Sequence, residues 1–433
     1  MSPPASPALV LYAPSLNETG GSGAIDGAAQ RLARTLDHLS QPVGTTYVVR
    51  EAAPEKFGSD GLAEVREILR VEPGQSPDDA VLTHRLYHLN YHPALDDASA
   101  PNIFVEAGRL VVLWFVMMLR FVRAVFVADA LSKMQKTAIV VAGFGLLLIT
   151  AYVLLVLGAV AHVVLDLVES GVAGDDFARA DGGLLGGLER FDRIFDLAFG
   201  NAWAKAIAII GGFSLTFGTI RQHLQNTVRT YLRFGRYMES PTVRATCTGR
   251  FNELLEHLLG RSAARIDVVA YSLGSLVTLD ALFPADGQPT PRAAKIVTLT
   301  TVGCPFDLVR TFWPAYFAGR EVSAPDLQWF NVYSPVDLLG SNFTNDDGLV
   351  EKPTHGINAA APAGAAPNPA RASLPSIAPA LNLFYDPMGR RELSFFDAVF
   401  FGAYRAHAQY WVPGQPAAES CYKRFVPLVY RAA

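Results

Sequence analysis

The feature that most constrains this chain is an uncharged stretch, residues 137–165, which contains no Asp, Glu, Lys or Arg. Wound as a helix it would reach roughly 40 Å, enough to cross the hydrocarbon of a bilayer with some tilt. A second apolar run, 206–220, reaches spanning length only if Trp203 and Lys205 lie at the interface with the lysine snorkelling. The run 105–127 is also apolar but carries Arg109, Arg120 and Arg123, which suits a helix in the membrane interface or packed on other helices. A rival pairing would use 105–127 and 137–165 as the two spans, at the cost of placing those arginines badly. Composition is apolar, with 50% of residues hydrophobic, 18% charged and a mean hydropathy of +0.22, which implies burial in lipid or in an unusually large core.

Charge fixes the expected topology. Arg120, Arg123, Lys133 and Lys136 precede the first span, and Arg221, Arg229, Arg233 and Arg236 follow the second. The intervening loop holds Asp166, Glu169, Asp175, Asp176, Asp181, Asp192 and Asp196, with fewer basic residues. Basic residues stay on the cytoplasmic side, so both outer flanks belong there and the two spans form a hairpin near 137–165 and 203–220. An even number of crossings also lets segments before and after the insertion share one sheet.

Those outer segments alternate strands with helices, which predicts an α/β fold with a mostly parallel sheet covered on both faces. Residues 8–12 are an apolar run followed by a loop rich in Pro, Ser, Asn and Gly. Ile25, Ala28, Leu32, Leu36 and Leu39 recur at helical spacing. Residues 45–50 are β-rich, 61–71 suit a second helix, and 81–91 alternate as a strand. After the insertion, 227–259 is helical in pattern, with Gly235 and Pro241 expected to interrupt it. Short β-rich runs follow at 265–270, 295–301 and 328–333. The stretch 357–379 is rich in Ala and Pro and lacks periodicity, as a surface loop would. The expected organisation is therefore 1–100 and 226–433 as two halves of one core, with 101–225 as a membrane-associated helical insertion. The first apolar run is short, ends at Pro14 and follows no basic residue, so it is expected to be a strand and not a secretory signal.

Other signals are weaker. A net charge of −4 and a pI near 6.2 give no cationic field to attract nucleic acid. Cys247, Cys304 and Cys421 are odd in number and widely spaced, matching neither a disulfide framework nor a zinc pattern. His84, His88 and His92 would share a helical face, but in a strand they stand too far apart to hold one ion.

One segment carries chemistry. Residues 266–282 have the form strand, sharp turn, helix, with Ala270-Tyr271-Ser272-Leu273-Gly274 at the turn. Small residues two before and two after a serine let strand and helix backbones approach, and the helix N-terminus favours a developing oxyanion. Gly20-Gly21-Ser22-Gly23-Ala24 has a similar form without a strand running into it.

On these residues the chain resembles the α/β-hydrolase superfamily over roughly 5–100 and 225–430, although Ala270 replaces the usual first glycine. The resemblance implies Ser272 as nucleophile, followed in chain order by an acid and a histidine. Thr301-Val302-Gly303-Cys304-Pro305 is similar to the V-G-S-P turn of lipase-like members. Asp337, beyond a strand and a Ser-Pro turn, stands where the family's acid lies, with Asp346 and Asp347 as rivals. His407, in Ala406-His407-Ala408-Gln409-Tyr410-Trp411, resembles the H-x-x-Y-W ending of some members, with His355 as its rival. The resemblance also implies an oxyanion hole from the backbone N–H of Leu273 and a second donor in the loop after an early strand. That loop here is Tyr12-Ala13-Pro14-Ser15-Leu16; Pro14 has no N–H, which leaves Ser15 or Leu16.

The function so implied is acyl transfer to water through a serine ester: a membrane-anchored hydrolase of a small-molecule or lipid acyl substrate, needing no metal or organic cofactor. Membrane lipid is the expected partner, and the expected location is a bacterial inner membrane with the hydrolase-like halves facing the cytoplasm. An acyltransferase would use the same triad, and a scaffold that has lost activity would keep the fold. Topology reporters test the hairpin: a reporter at the Asp175 loop should report the far side of the membrane and one at the C-terminus the cytoplasm. Both on one side would contradict it.

Overall fold

The computed structural model describes residues 6–16, 22–96, 140, 230, 232–263, 265–284, 292–313, 315–317, 327–334, 337, 339–343, 380–385, 407, 410 and 420–430. The expected spans at 137–165 (residue 140 apart) and 203–220, the run 105–127 and the Ala/Pro-rich stretch 357–379 lie outside them. Among the described residues no helix is long and apolar enough to cross a membrane.

The first half is β1 (Ala8–Ala13), α1 (Ser22–Ser40), β2 (Thr46–Phe57), β3 (Gly61–Val71), β4 (Val81–His88) and a single turn, α2 (His92–Leu95). The second half is α3 (Pro241–Leu259), β5 (Arg265–Tyr271), α4 (Leu273–Leu282), β6 (Thr298–Val302), α5 (Phe306–Phe312), β7 (Gln328–Tyr333), β8 (Ala380–Phe384) and α6 (Tyr422–Val429). The strands form one eight-stranded sheet in the order β2-β3-β4-β1-β5-β6-β7-β8. β3 pairs antiparallel with β2 and β4, and every other pairing is parallel. A strand from before the insertion, β1, thus pairs directly with one from after it, β5.

Helices cover both faces, so the central strands read as continuous apolar runs and not as alternating ones. Their side chains still alternate between two cores. Leu9, Leu11 and Ala13 of β1 join Phe251, Leu254 and Leu258 of α3 and Leu276 and Leu279 of α4. Val10 and Tyr12 join Ile25, Leu32 and Leu36 of α1 and Phe425 and Val426 of α6.

Two expectations are corrected. Residues 61–71 are the strand β3 and not a helix, although they are rich in helix formers. Pairing along both edges outweighs that weak local preference. Two charged residues of β3 are buried and matched: Arg66 pairs with Asp26, and Glu67 accepts from Arg50 and Arg85, each 2.6 Å away. Gly235 does not interrupt its helix, because 232–239 is continuously helical. The break falls at Ser240, whose hydroxyl accepts the Val243 N–H at 3.3 Å, with Pro241 at the first helical position.

Candidate active site

β5 is buried along nearly its whole length and delivers Ser272 to the sheet's carboxyl end, where ligands of parallel sheets bind. Ser272 adopts φ 54° and ψ −120°, a conformation costing a non-glycine residue about 1–3 kcal/mol. The surroundings over-determine it. The Ser272 N–H donates to the Val302 carbonyl at 2.9 Å, and the Ser275 hydroxyl reaches back to the Ala270 carbonyl at 3.0 Å. A Cβ on Gly274 would stand 2.3 Å from the Ala13 oxygen and 2.5 Å from the Pro14 oxygen, both backbone atoms. Only glycine lets α4 start this close to the end of β1.

The three residues that the resemblance implied come together. Ser272 Oγ lies 2.7 Å from His407 Nε2, and His407 Nδ1 lies 2.9 Å from Asp337 Oδ2. Asp337 Oδ1 also accepts the Leu339 N–H at 2.8 Å. A carboxylate can only accept here, so His407 carries its proton on Nδ1 and offers a lone pair on Nε2 to the serine O–H. The relative exposures are 7%, 5% and 1% for Ser272, His407 and Asp337, so each contact acts in a medium poor in water. The Tyr271 ring stacks on the His407 ring at 5.3 Å and 22°, and its hydroxyl donates to the His407 carbonyl. Tyr410 meets His407 edge-on, and burial together with the Asp337 carboxylate holds its phenol well above the usual tyrosine value.

No protein-family model, curated protein or solved structure matches this chain.

Several contributors were not legible as site residues. A Cβ on Gly303 would come within 3.0 Å of His407, and one on Gly340 within 2.7 Å of Asp337 Oδ2. Bare backbone at both positions makes room for the histidine–carboxylate pair. Asp307, whose carboxyl burial pushes up to about 6, accepts the Ser341 hydroxyl, and the Ser341 N–H donates to the Cys304 carbonyl at 3.0 Å. Those bonds fasten the segment after Asp337 to the turn after β6. Asn331, buried on β7, accepts from Thr301 and donates to the Ser341 carbonyl at 2.7 Å and to Asn382 at 2.8 Å. The only sequence signal for this set is polar residues inside apolar strands.

The residues expected to supply oxyanion donors flank the ends of β5 and β1. Leu273 opens α4, and Ser15 and Leu16 follow the end of β1, whose Ala13 is in register with Ala270. All three are buried. The Pro14 carbonyl accepts from the Tyr91 hydroxyl at 2.5 Å, and the Ser15 carbonyl from His92 Nε2 at 2.9 Å. Ser22 merely begins α1. His84 and His88 are buried on β4, where desolvation lowers each to about 4, and no group among the described residues could hold a metal ion. The rivals Asp346, Asp347 and His355 lie outside the described residues.

Chemically, the arrangement can activate a hydroxyl through a base whose proton is fixed by a buried carboxylate. The Gly274 contact makes a direct prediction. Gly274→Ala should lower unfolding stability by about 1–3 kcal/mol through overpacking. Gly249→Ala, at a helical position with open space around it, should raise stability by about 0.5–1 kcal/mol. Denaturant titration of the two variants against wild type checks both signs.

Proposed function

We propose that this chain is a membrane-anchored serine hydrolase of the α/β-hydrolase type that cleaves an ester or thioester through an acyl-enzyme on Ser272. One observation carries the reading: Ser272, His407 and Asp337 form a continuous hydrogen-bonded relay, although 135 and 70 residues separate its successive members.

In this reading His407 Nε2 takes the Ser272 proton as Oγ attacks the acyl carbon, and the carbonyl oxygen becomes an oxyanion facing the Leu273 N–H. Asp337 stays ionised and balances the imidazolium. Collapse of the tetrahedral adduct expels the alcohol or thiol, which receives the proton from His407 and leaves the acyl group on Ser272. Water then gives His407 a proton as it attacks the ester. The second tetrahedral adduct releases the carboxylic acid and returns the proton to Ser272.

The uncharged run 137–165 and its basic flanks support anchoring by a hairpin, with the hydrolase core on the cytoplasmic face of a bacterial inner membrane. The roots of the insertion support one site beside it. Asp96 and Arg233 are paired at 2.6 Å, so the chain departs and returns at one point, four residues after His92. A substrate whose acyl part lies in lipid fits an enzyme so tethered.

Fluorophosphonate labelling tests the chemistry. The detergent-extracted chain should be labelled on Ser272, Ser272→Ala should abolish labelling, and His407→Ala should slow it by at least about a hundredfold. A folded wild-type chain that resists the probe would refute the proposal. With a turned-over ester, competition between water and an added alcohol separates hydrolysis from acyl transfer.

A further inference from the structure

The oxyanion side of the site begins with a defect. Pro14 can donate nothing, so the loop after β1 must be aimed through its carbonyls. Those carbonyls are held. The Tyr91 hydroxyl donates to Pro14, and His92 Nε2 donates to Ser15. Because a carbonyl cannot donate, the His92 proton must sit on Nε2, and burial, which lowers the ring's pKa, keeps it neutral at pH 7. In a planar trans peptide the C=O and the following N–H point in opposite directions. Fixing the Pro14 carbonyl therefore fixes the Ser15 N–H, and fixing the Ser15 carbonyl fixes the Leu16 N–H.

The two side chains pack on each other. Their rings stack at 4.8 Å and 16°, and both residues are buried. The Leu89 N–H donates to the Tyr12 carbonyl at 2.9 Å, tying the segment that carries them to the end of β1. Gly274 of α4 also packs closely on the Ala13 and Pro14 carbonyls. The loop carbonyls are thus held by contacts with α4, Tyr91 and the first residue of α2.

We propose that Tyr91 and His92 are positioning residues that align the Ser15 and Leu16 N–H groups for the oxyanion formed at Ser272. The inference rests on the serine-hydrolase reading above. It assigns a role to His92 that no metal or structural-core account contains, and it explains how a loop with proline at its head can still serve.

The test uses p-nitrophenyl butyrate and a fluorophosphonate on the detergent-extracted chain. His92→Leu should lower kcat on the order of ten- to a hundredfold with KM nearly unchanged, below the loss expected for deleting a donor outright. His92→Gln, whose amide N–H can occupy the Nε2 position, should recover most of that loss. Tyr91→Phe keeps the ring stack and removes only the hydroxyl, and it should lower kcat roughly three- to tenfold. Should His92→Leu fail to fold, Tyr91→Phe decides the matter alone. Wild-type kcat in folded His92→Leu, or an equal loss in the Leu and Gln variants, overturns the positioning role and leaves Ser272 labelling intact. Absence of wild-type labelling overturns the hydrolase reading, and this inference with it.

Discussion

The site depends on one close approach, that of Gly274 to the Ala13 and Pro14 carbonyls. A side chain there would push α4 away from β1, and the strained Ser272 turn would lose the wall that holds it. β1 and β5 are neighbours because the sheet joins the chain across the insertion. The parallel pairings β1–β5, β5–β6 and β6–β7 then bring the Pro14 loop, Ser272, Gly303 and the Asp337 segment to one edge. A parallel sheet places such loops together without any of them being close in sequence.

Burial sets the electrostatics of this edge. An unpaired carboxylate as enclosed as Asp337 would be costly, and the His407 and Leu339 N–H donors offset that cost. At Asp307 burial raises the carboxyl despite the opposing Arg310 charge and the hydrogen bond from Ser341. The polar chain Thr301–Asn331–Asn382 runs beneath the acid's segment and satisfies the carbonyls of Ser341 and Asn342. A half-satisfied network at this depth would be worse than an apolar core, so its completeness is what lets the segment hold one conformation.

Much of the core was legible because its strands are buried on both faces. Residues 8–12, 265–270 and 328–333 announce themselves as apolar runs, and α1 shows its inward stripe at Ile25, Leu32 and Leu36. β3 was not legible, since its residues favour a helix locally and the partners of Arg66 and Glu67, Asp26, Arg50 and Arg85, come from other elements. Ser272 could be read locally, because strand, turn and helix lie within one segment. Asp337 and His407 could be read only through the order of a family's residues, since nothing local links them to the serine. Tyr91 and His92 could not be read at all as partners of the Pro14 loop, because both bonds span 77 residues. Pairing across such distances is a property of the register, not of any window of sequence.

The central claim is that Ser272 becomes transiently acylated. Rapid mixing with p-nitrophenyl acetate, acid quenching and mass analysis of the peptides tests it most directly. The account predicts a burst of about one equivalent of p-nitrophenol per chain, with an acetyl ester on the peptide holding Ser272. Steady turnover without an adduct, or an adduct on another residue that persists in Ser272→Ala, would contradict it.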